Sequence, residues 1–290
     1  MDLVGFVSDP LSYGFMQRGL VASVLVGIVC AVMGTFVVLK GLAFIGDAVS
    51  HATLPGLVIA YLVGAPLYVG GAIAAVGTSL AIGFVSRRSQ LRFDTSVGVL
   101  FAGMFAFGVL LFSTIKSYVA DLLGYLLGNV LGISPGDLLQ VGILGAIVLA
   151  IVLVMRKELL FATFDPLGAA ASGLPVAVLE YLLLALLGVT IVVSIQAVGI
   201  IMVVAMLVTP AATAQLLVVR FGQMMGIAVA LAAVSSVVGL YLSFYLNLAS
   251  GASIVLVETL LFLVALGLGP RTGLLRRGAR GAVSGPPAVS

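Results

Sequence analysis

Nine predominantly apolar stretches of roughly 20 residues each follow one another along this chain, and this spacing limits the fold strongly. A helix needs about 20 apolar residues to cross the hydrocarbon core of a bilayer. Because lipid offers no water to an open strand edge, runs of this length favour helices. The predicted spans are 19–39, 44–64, 66–86, 95–115, 137–155, 176–194, 198–219, 222–246 and 252–269. The sequence therefore predicts an all-α, polytopic transmembrane helical bundle of eight to nine spans, eight if one stretch is re-entrant or merges with a neighbour.

The composition excludes a soluble globular protein. Only 8% of the 290 residues are charged and 62% are hydrophobic, whereas a typical soluble domain carries about 25% charged residues. A single cysteine, Cys30, excludes a disulfide framework and any multi-cysteine metal site. Glycines such as Gly27, Gly34, Gly70 and Gly71 are the residue type that lets membrane helices approach closely.

The basic residues predict the orientation of the bundle, because cytoplasmic loops carry an excess of Lys and Arg. The side predicted to be cytoplasmic holds Lys40, Arg87, Arg88, Arg92, Arg156, Lys157, Arg220, Arg271, Arg276, Arg277 and Arg280. The opposite side holds only Arg18 and Lys116. This asymmetry accounts for the net charge of +3 without a nucleic-acid partner. We expect a multi-pass protein of a bacterial-type plasma membrane.

Three regions follow from this layout. An N-terminal segment covers 1–18, a transmembrane domain covers 19–269, and a basic C-terminal tail covers 270–290. The tail is rich in Gly, Pro and Ser after its basic part, which is typical of disorder. Within the domain, 118–134 is too short and glycine-rich for a span and is predicted to form a loop and a half-helix.

The second span carries the ionisable pair that most suggests chemistry. Asp47 and His51 are four residues apart, so on a helix they share one face. Counted from Lys40 at about 1.5 Å per residue, Asp47 lies roughly 10 Å and His51 roughly 16 Å into the bilayer. An imidazole and a carboxylate suit a divalent transition metal. Pro55 lacks an N–H, so it could leave the His51 carbonyl as an additional oxygen ligand.

One chain supplies too few ligands for a closed site, whereas a symmetric dimer would offer two Asp and two His around a shared axis. Two other roles of Asp47 and His51 stay open. The pair could hydrogen-bond neighbouring helices as a structural element, or it could relay protons.

The run GLAFIGDAVSHATLPG (41–56) resembles the integral-membrane subunits of metal-importing ABC transporters of the zinc, manganese and iron uptake class. Three further stretches are similar in order and spacing: FDTSVGVLFAGMFAFGVLL (93–111), RKELLFATFDPLGAAASGLP (156–175) and AVGIIMVVAMLVTPAATAQLL (197–217). The last of these resembles the family's proline-broken helix. The resemblance extends over about residues 15–270.

The resemblance implies that Asp47 and His51 contact the metal in the translocation path. It also implies a coupling loop to the ATPase, which would contain Phe164, Asp165, Pro166, Ala169, Ala170 and Ala171. Asp165 followed by Pro166 has the pattern of a helix N-cap with proline at the first helical position. The implied partners are a cytoplasmic ATP-binding subunit, an extracytoplasmic metal-binding protein and a second permease protomer in the lipid bilayer.

Several other residues are weaker candidates. Pro55, Thr209 and Pro210 could line the path, although Pro210 could equally be a packing kink. Glu258 lies inside the last span with no partner evident from the sequence, and Glu180 is expected to extend its carboxylate to the cytoplasmic interface.

The sequence thus predicts the permease subunit of an ATP-driven importer of divalent metal. The chain has no G-x-x-x-x-G-K-[ST] motif, so it is not predicted to be an enzyme and ATP hydrolysis is expected in a partner. No tightly bound cofactor is expected, and the transported ion would be Mn²⁺, Zn²⁺ or Fe²⁺. Leu54-Pro55-Gly56 resembles the manganese and iron branch, which favours Mn²⁺. The alternatives are a stand-alone, gradient-driven cation transporter that uses the same Asp/His pair, and a non-transporting membrane scaffold.

Overall fold

Helices form the regular structure of this chain in a computed structural model that describes residues 8–89, 91–115 and 130–268. Twelve α-helices lie entirely within these ranges, residues 8–11 are also helical, and a 3₁₀ turn lies at Val130–Gly132. The helices are α1 Gly14–Leu39, α2 Ile45–Ala52, α3 Leu54–Leu62, α4 Leu67–Arg88, α5 Phe93–Phe112, α6 Pro135–Val154, α7 Arg156–Phe164, α8 Pro166–Ala171, α9 Val176–Val198, α10 Ile200–Leu217, α11 Phe221–Leu246 and α12 Ser250–Leu268. The all-α prediction is confirmed.

Nine segments of the described chain are long and apolar enough to cross a membrane, with α2 and α3 together forming the second. Their positions match the predicted spans, but some boundaries differ. The first span begins at Gly14 rather than at residue 19, so Arg18 lies inside its helix. The second span consists of two short helices, and residues 118–129 of the predicted loop and half-helix lie outside the described ranges. The tail at 270–290 also lies outside them.

Helix α1 is the centre of the bundle and packs against α6, α9, α10 and α11. Its glycines allow the closest of these contacts, as the sequence predicted. A Cβ atom on Gly34 would lie 1.8 Å from the carbonyl oxygen of Leu207, and one on Gly27 would lie 3.3 Å from Cβ of Ala232. Small residues at such crossings allow the dispersion contacts that hold membrane helices together. Helix α1 therefore provides the rigid core on which the other helices are placed.

One end of the bundle, here called the basic end, brings together the termini of several helices. Lys40 follows α1, Arg87 lies in the last turn of α4, and both form ion pairs with Glu180 of α9. A cavity of about 410 Å³ at this end is also lined by Phe93 of α5 and Thr163 of α7. This clustering agrees with the predicted cytoplasmic side.

Candidate functional site

A turn at Gly41 positions the helix that carries the Asp/His pair. Gly41 has φ +69°, and the Leu42 amide bonds the Val37 carbonyl at 2.9 Å, which closes the C-terminus of α1. Glycine adopts this left-handed conformation at little cost, so it is the usual residue at such a helix end. The chain then starts α2 at Ile45. The depths predicted from the sequence assumed that residues 41–44 are helical. Because α2 begins at Ile45, Asp47 lies about 3 Å and His51 about 9 Å along its axis, measured from Ile45.

Helix α2 turns the Asp47 and His51 side chains away from the protein core. The other residues of α2 are buried: Ile45, Gly46, Ala48, Val49, Ser50 and Ala52. By contrast, the side chain of Asp47 is 51% exposed and that of His51 is 37% exposed. Nε2 of His51 lies 3.5 Å from Oδ1 of Asp47. The structure therefore brings the predicted pair together on one open face, within contact range of each other.

Two aromatic side chains of α5 hold the imidazole in place. The ring of His51 lies 5.7 Å from that of Phe105, edge to face, and 5.9 Å from that of Phe101, measured between ring centroids. Aromatic pairs at such separations are attractive. These contacts restrict rotation of the imidazole while the nitrogen that faces Asp47 stays accessible. No local sequence pattern around His51 indicates these partners, because they come from another helix.

The second span breaks immediately after the pair. Helix α2 ends at Ala52 and α3 begins at Leu54, with Pro55 buried in its first turn, where a missing N–H costs no hydrogen bond. The Thr53 amide approaches the carbonyls of Ser50 and His51. The Thr53 amide hydrogen-bonds the Ser50 carbonyl at 3.4 Å, and Pro55 has no N–H to offer the His51 carbonyl.

The predicted path-lining residues of α10 lie in a helix that packs against α2. Helix α10 runs through Pro210 from Ile200 to Leu217, rather than breaking at the proline as the resemblance implied. Pro210 is buried and Thr209 is half-buried. The Thr213 hydroxyl donates to the Thr209 carbonyl at 2.7 Å.

The ligand set of one chain is incomplete. Among the described residues, no group of three or more His, Cys, Asp or Glu side chains could hold a metal ion. The Asp47 carboxylate and the His51 imidazole together form a mixed oxygen and nitrogen donor pair, which suits divalent transition metals. Two donors on an open face can bind an ion only weakly unless further ligands come from outside the chain.

The predicted coupling loop forms a short capped helix, α8, at the basic end. Oδ1 of Asp165 accepts a hydrogen bond from the Gly168 amide at 2.9 Å, and Pro166 occupies the first turn. This is the N-cap that the sequence predicted. Phe164 and Leu167 are 63% and 85% exposed, while Ala169 is buried and Ala170 and Ala171 are exposed. Phe164 at the end of α7 and Leu167 of α8 therefore present two large apolar side chains outward.

The ion pairs of Glu180 are the main contact that the sequence did not reveal. Oε1 of Glu180 lies 3.3 Å from Nζ of Lys40, and its Oε2 accepts a hydrogen bond from Arg87. The carboxylate therefore joins α1, α4 and α9, instead of merely extending to the interface as expected. Positions 40, 87 and 180 are far apart in the chain, so no local pattern could have paired them.

Comparison with known proteins adds relatives over nearly the whole chain. The profile of the ABC 3 transport family matches residues 12–269. The manganese transport system membrane protein MntC of Halalkalibacterium halodurans is 45% identical over 280 residues, covering 97% of this chain and 96% of that protein. The chelated iron transport system membrane protein YfeD of Yersinia pestis is 42% identical over 264 residues, covering 91% and 89%. The structure of PsaBC from Streptococcus pneumoniae in complex with Fab matches with a TM-score of 0.83 and 33% identity, covering 96% of this chain and 100% of that one.

Proposed function

The chain belongs to the ABC 3 transport family, and on that premise we propose that it is the permease subunit of an ATP-driven importer of divalent transition metals, with Mn²⁺ as its main substrate. It is a multi-pass protein of the plasma membrane, with nine candidate spans in its described residues. The metal would pass along a path lined by Asp47 and His51.

The observation that carries this proposal is the exposure of the pair inside a membrane span. A charged or polar side chain within a span faces the bundle interior, a partner or water, because contact with hydrocarbon costs several kcal/mol. Asp47 and His51 lie on the open face of α2, in the segment Ile45–Leu62 that is apolar enough to span the membrane. They therefore require an aqueous path or a second protein surface.

A second protomer would complete the site. Two copies related by a two-fold axis would bring two carboxylates and two imidazoles together, which is sufficient for a four-coordinate ion. We propose a homodimer; a heterodimer with a close paralogue would serve equally well if that paralogue carried the same pair. Pro55, Thr209 and Pro210 would line the path beside the ligands.

The donor set does not itself select manganese, since such ligands bind Zn²⁺ more tightly than Mn²⁺. Manganese is favoured by the Leu54-Pro55-Gly56 segment and by the names of several relatives. Selection would then occur largely in an extracytoplasmic metal-binding protein that delivers the ion. A half-open site also suits transport, because an ion must leave as readily as it enters.

The energy would come from ATP hydrolysis in a separate cytoplasmic subunit. The end of α7 and the capped helix α8 would offer that partner an exposed contact with Phe164 and Leu167 at its surface. The ion pairs of Glu180 lie at the same end of the bundle, so a displacement of α7 and α8 could reach Lys40 and the turn that starts α2.

Metal uptake by cells tests the proposal. Cells that lack this permease would be complemented with the wild type, Asp47→Asn or His51→Gln, and uptake of radioactive Mn²⁺ and Zn²⁺ would be measured at equal expression. Asp94→Asn is the matched control, because Asp94 is an exposed carboxylate in the first turn of α5 without a capping hydrogen bond. Each strain would be assayed with an active and with a catalytically disabled ATPase partner.

We expect Mn²⁺ uptake in the wild type and in Asp94→Asn, and at least a tenfold loss in each site variant, which corresponds to about 1.4 kcal/mol of transition-state or binding free energy. Uptake should also require the active ATPase. Normal uptake by both site variants would refute the role of the pair. Uptake that persists with the disabled ATPase and stops with an uncoupler would instead support a gradient-driven transporter.

A further inference from the structure

Helix α12 buries its one ionisable side chain, Glu258. The helix is otherwise apolar and largely exposed, with Leu256, Leu260 and Leu263 each more than half exposed. Glu258 is only 2% exposed and lies near the middle of the helix. The helix is therefore rotated so that its carboxyl group points into the protein rather than into the surrounding lipid.

The helices that pack along α12 offer Glu258 no charged partner. Helices α10 and α11 make the main contacts with α12, and neither contains an Asp, Glu, Lys, Arg or His residue. Both carboxyl oxygens of Glu258 are buried, and neither has a hydrogen-bond partner among the described residues. The titratable groups of α11 are Tyr241 and Tyr245.

Neutral polar groups surround the carboxyl group instead. A Cβ atom on Gly239 of α11 would lie 2.5 Å from Cα of Ile254, which fixes the register of the two antiparallel helices. One helical turn further from the loop that joins α11 and α12, Ser235 lies opposite Glu258. The Ser235 hydroxyl is also fully buried and has no hydrogen-bond partner in the described part of the chain. The two orphaned groups therefore face a common interior region.

Cys30 of α1 adds a third neutral group on the other side. Its thiol lies within electrostatic range of Glu258, and its Sγ atom is 3.3 Å from Oγ of Ser194 in α9. The nearest cation on α1 is Arg18, twelve residues before Cys30 and therefore about 18 Å away along the helix. Among the described residues, the groups that these contacts place near Glu258 are hydroxyl, thiol and hydrocarbon groups.

We propose that Glu258 is a membrane-embedded proton-binding site, in which the carboxyl group carries a proton at neutral pH. An ionised carboxylate buried without a cation or hydrogen-bond donors is strongly disfavoured, and such a group takes up a proton instead. The site lies where α12 packs against α10 and α11, and it does not involve the Asp47 and His51 pair. A bound metal or alkali cation, which would require an ionised carboxylate, is the competing occupant.

Infrared spectroscopy of the purified permease, in complex with its ATPase partner in lipid nanodiscs, tests the proposal. The probe is the C=O stretch of a protonated carboxylic acid, identified by its shift in heavy water. Spectra of the wild type at neutral pH would be compared with those of Glu258→Gln, which has the same shape and no ionisable group. Glu180→Gln is the matched control, because Glu180 forms two ion pairs with Lys40 and Arg87.

We expect Glu258→Gln to remove a carboxylic acid band that is present in the wild type, and Glu180→Gln to leave that band unchanged. Titration to high pH should remove the band from the wild type. The thermal unfolding temperature of Glu258→Gln should equal that of the wild type, since one neutral side chain replaces another. A wild type that lacks this band at neutral pH would overturn the proposal, and so would a marked loss of thermal stability in Glu258→Gln. Neither result depends on metal uptake, so this proposal and the proposed function can fail separately.

Discussion

Replacement of Gly70 by alanine tests the closest helix crossing next to the proposed metal path. Gly70 of α4 and Gly56 of α3 face each other, and a Cβ atom on either would lie 2.1 Å from the carbonyl oxygen of the other. Ordinary contact begins near 3.4 Å, so the helices must separate by about 1.3 Å to accept one methyl group. The obstacle is helix backbone, which cannot rotate away as a side chain can, and Ala60 Cβ would be only 2.6 Å away.

Overpacking of this kind costs about 1–3 kcal/mol, and the better helix propensity of alanine offsets up to about 1 kcal/mol of it. We therefore expect Gly70→Ala to lose about 1–2 kcal/mol of unfolding free energy. Gly77→Ala on the same helix is the matched control, since a Cβ atom there meets nothing within 4 Å. Thermal unfolding can be followed in detergent by the reaction of a fluorogenic maleimide with Cys30, which is buried and is the one cysteine of the chain. Equal unfolding temperatures for the two variants would refute the packing argument.

Two further predictions concern the basic end. Glu180→Gln removes the carboxylate that joins Lys40 and Arg87. In thermal unfolding experiments we expect it to lower the free energy of unfolding by about 1 kcal/mol, and by less at high salt because these ion pairs are partly exposed. A loss that does not depend on salt would contradict the ionic origin. Asp165→Ala removes the N-cap of α8, which contributes about 1 kcal/mol. In hydrogen exchange measured by mass spectrometry, we expect the backbone amides of α8 from Gly168 onward to exchange several-fold faster. Unchanged exchange would show that the cap does not stabilise this helix.

The number of membrane helices could be predicted from the sequence because hydropathy and helix length suffice for that purpose. The start of the first helix could not be, because a charge such as Arg18 lowers the local hydropathy. Arg18 is half-buried and belongs to α1, whose helical structure begins at Gly14. A long basic side chain near a helix end can reach the interface while its backbone stays helical. Hydropathy alone therefore places such boundaries several residues too far inside the span.

Local spacing was enough to place Asp47 and His51 on one face, since a separation of four residues has that consequence in any α-helix. The break after Ala52 was not predicted, because 44–64 has the length of a single crossing and length alone does not show where a span changes from one helix to another. The aromatic contacts of His51 and the ion pairs of Glu180 also escaped prediction. They join residues from different helices, and one sequence contains no signal for such tertiary pairs.

The exposed face of α2 and α5 explains why the proposed metal site requires two protomers. Phe105 beside His51 is 38% exposed, and Val109, one turn further along the same side of α5, is 47% exposed. Lipid could cover these apolar side chains, but it could not cover the Asp47 carboxylate at their edge. A second copy of the same face would cover both: the apolar side chains would pack, and two carboxylates would meet near the axis. Two carboxylates that meet near the axis repel each other unless a cation lies between them. The ion would therefore stabilise the closed arrangement of the proposed dimer, and its departure would favour separation of the two faces, which is the coupling that a transport cycle needs.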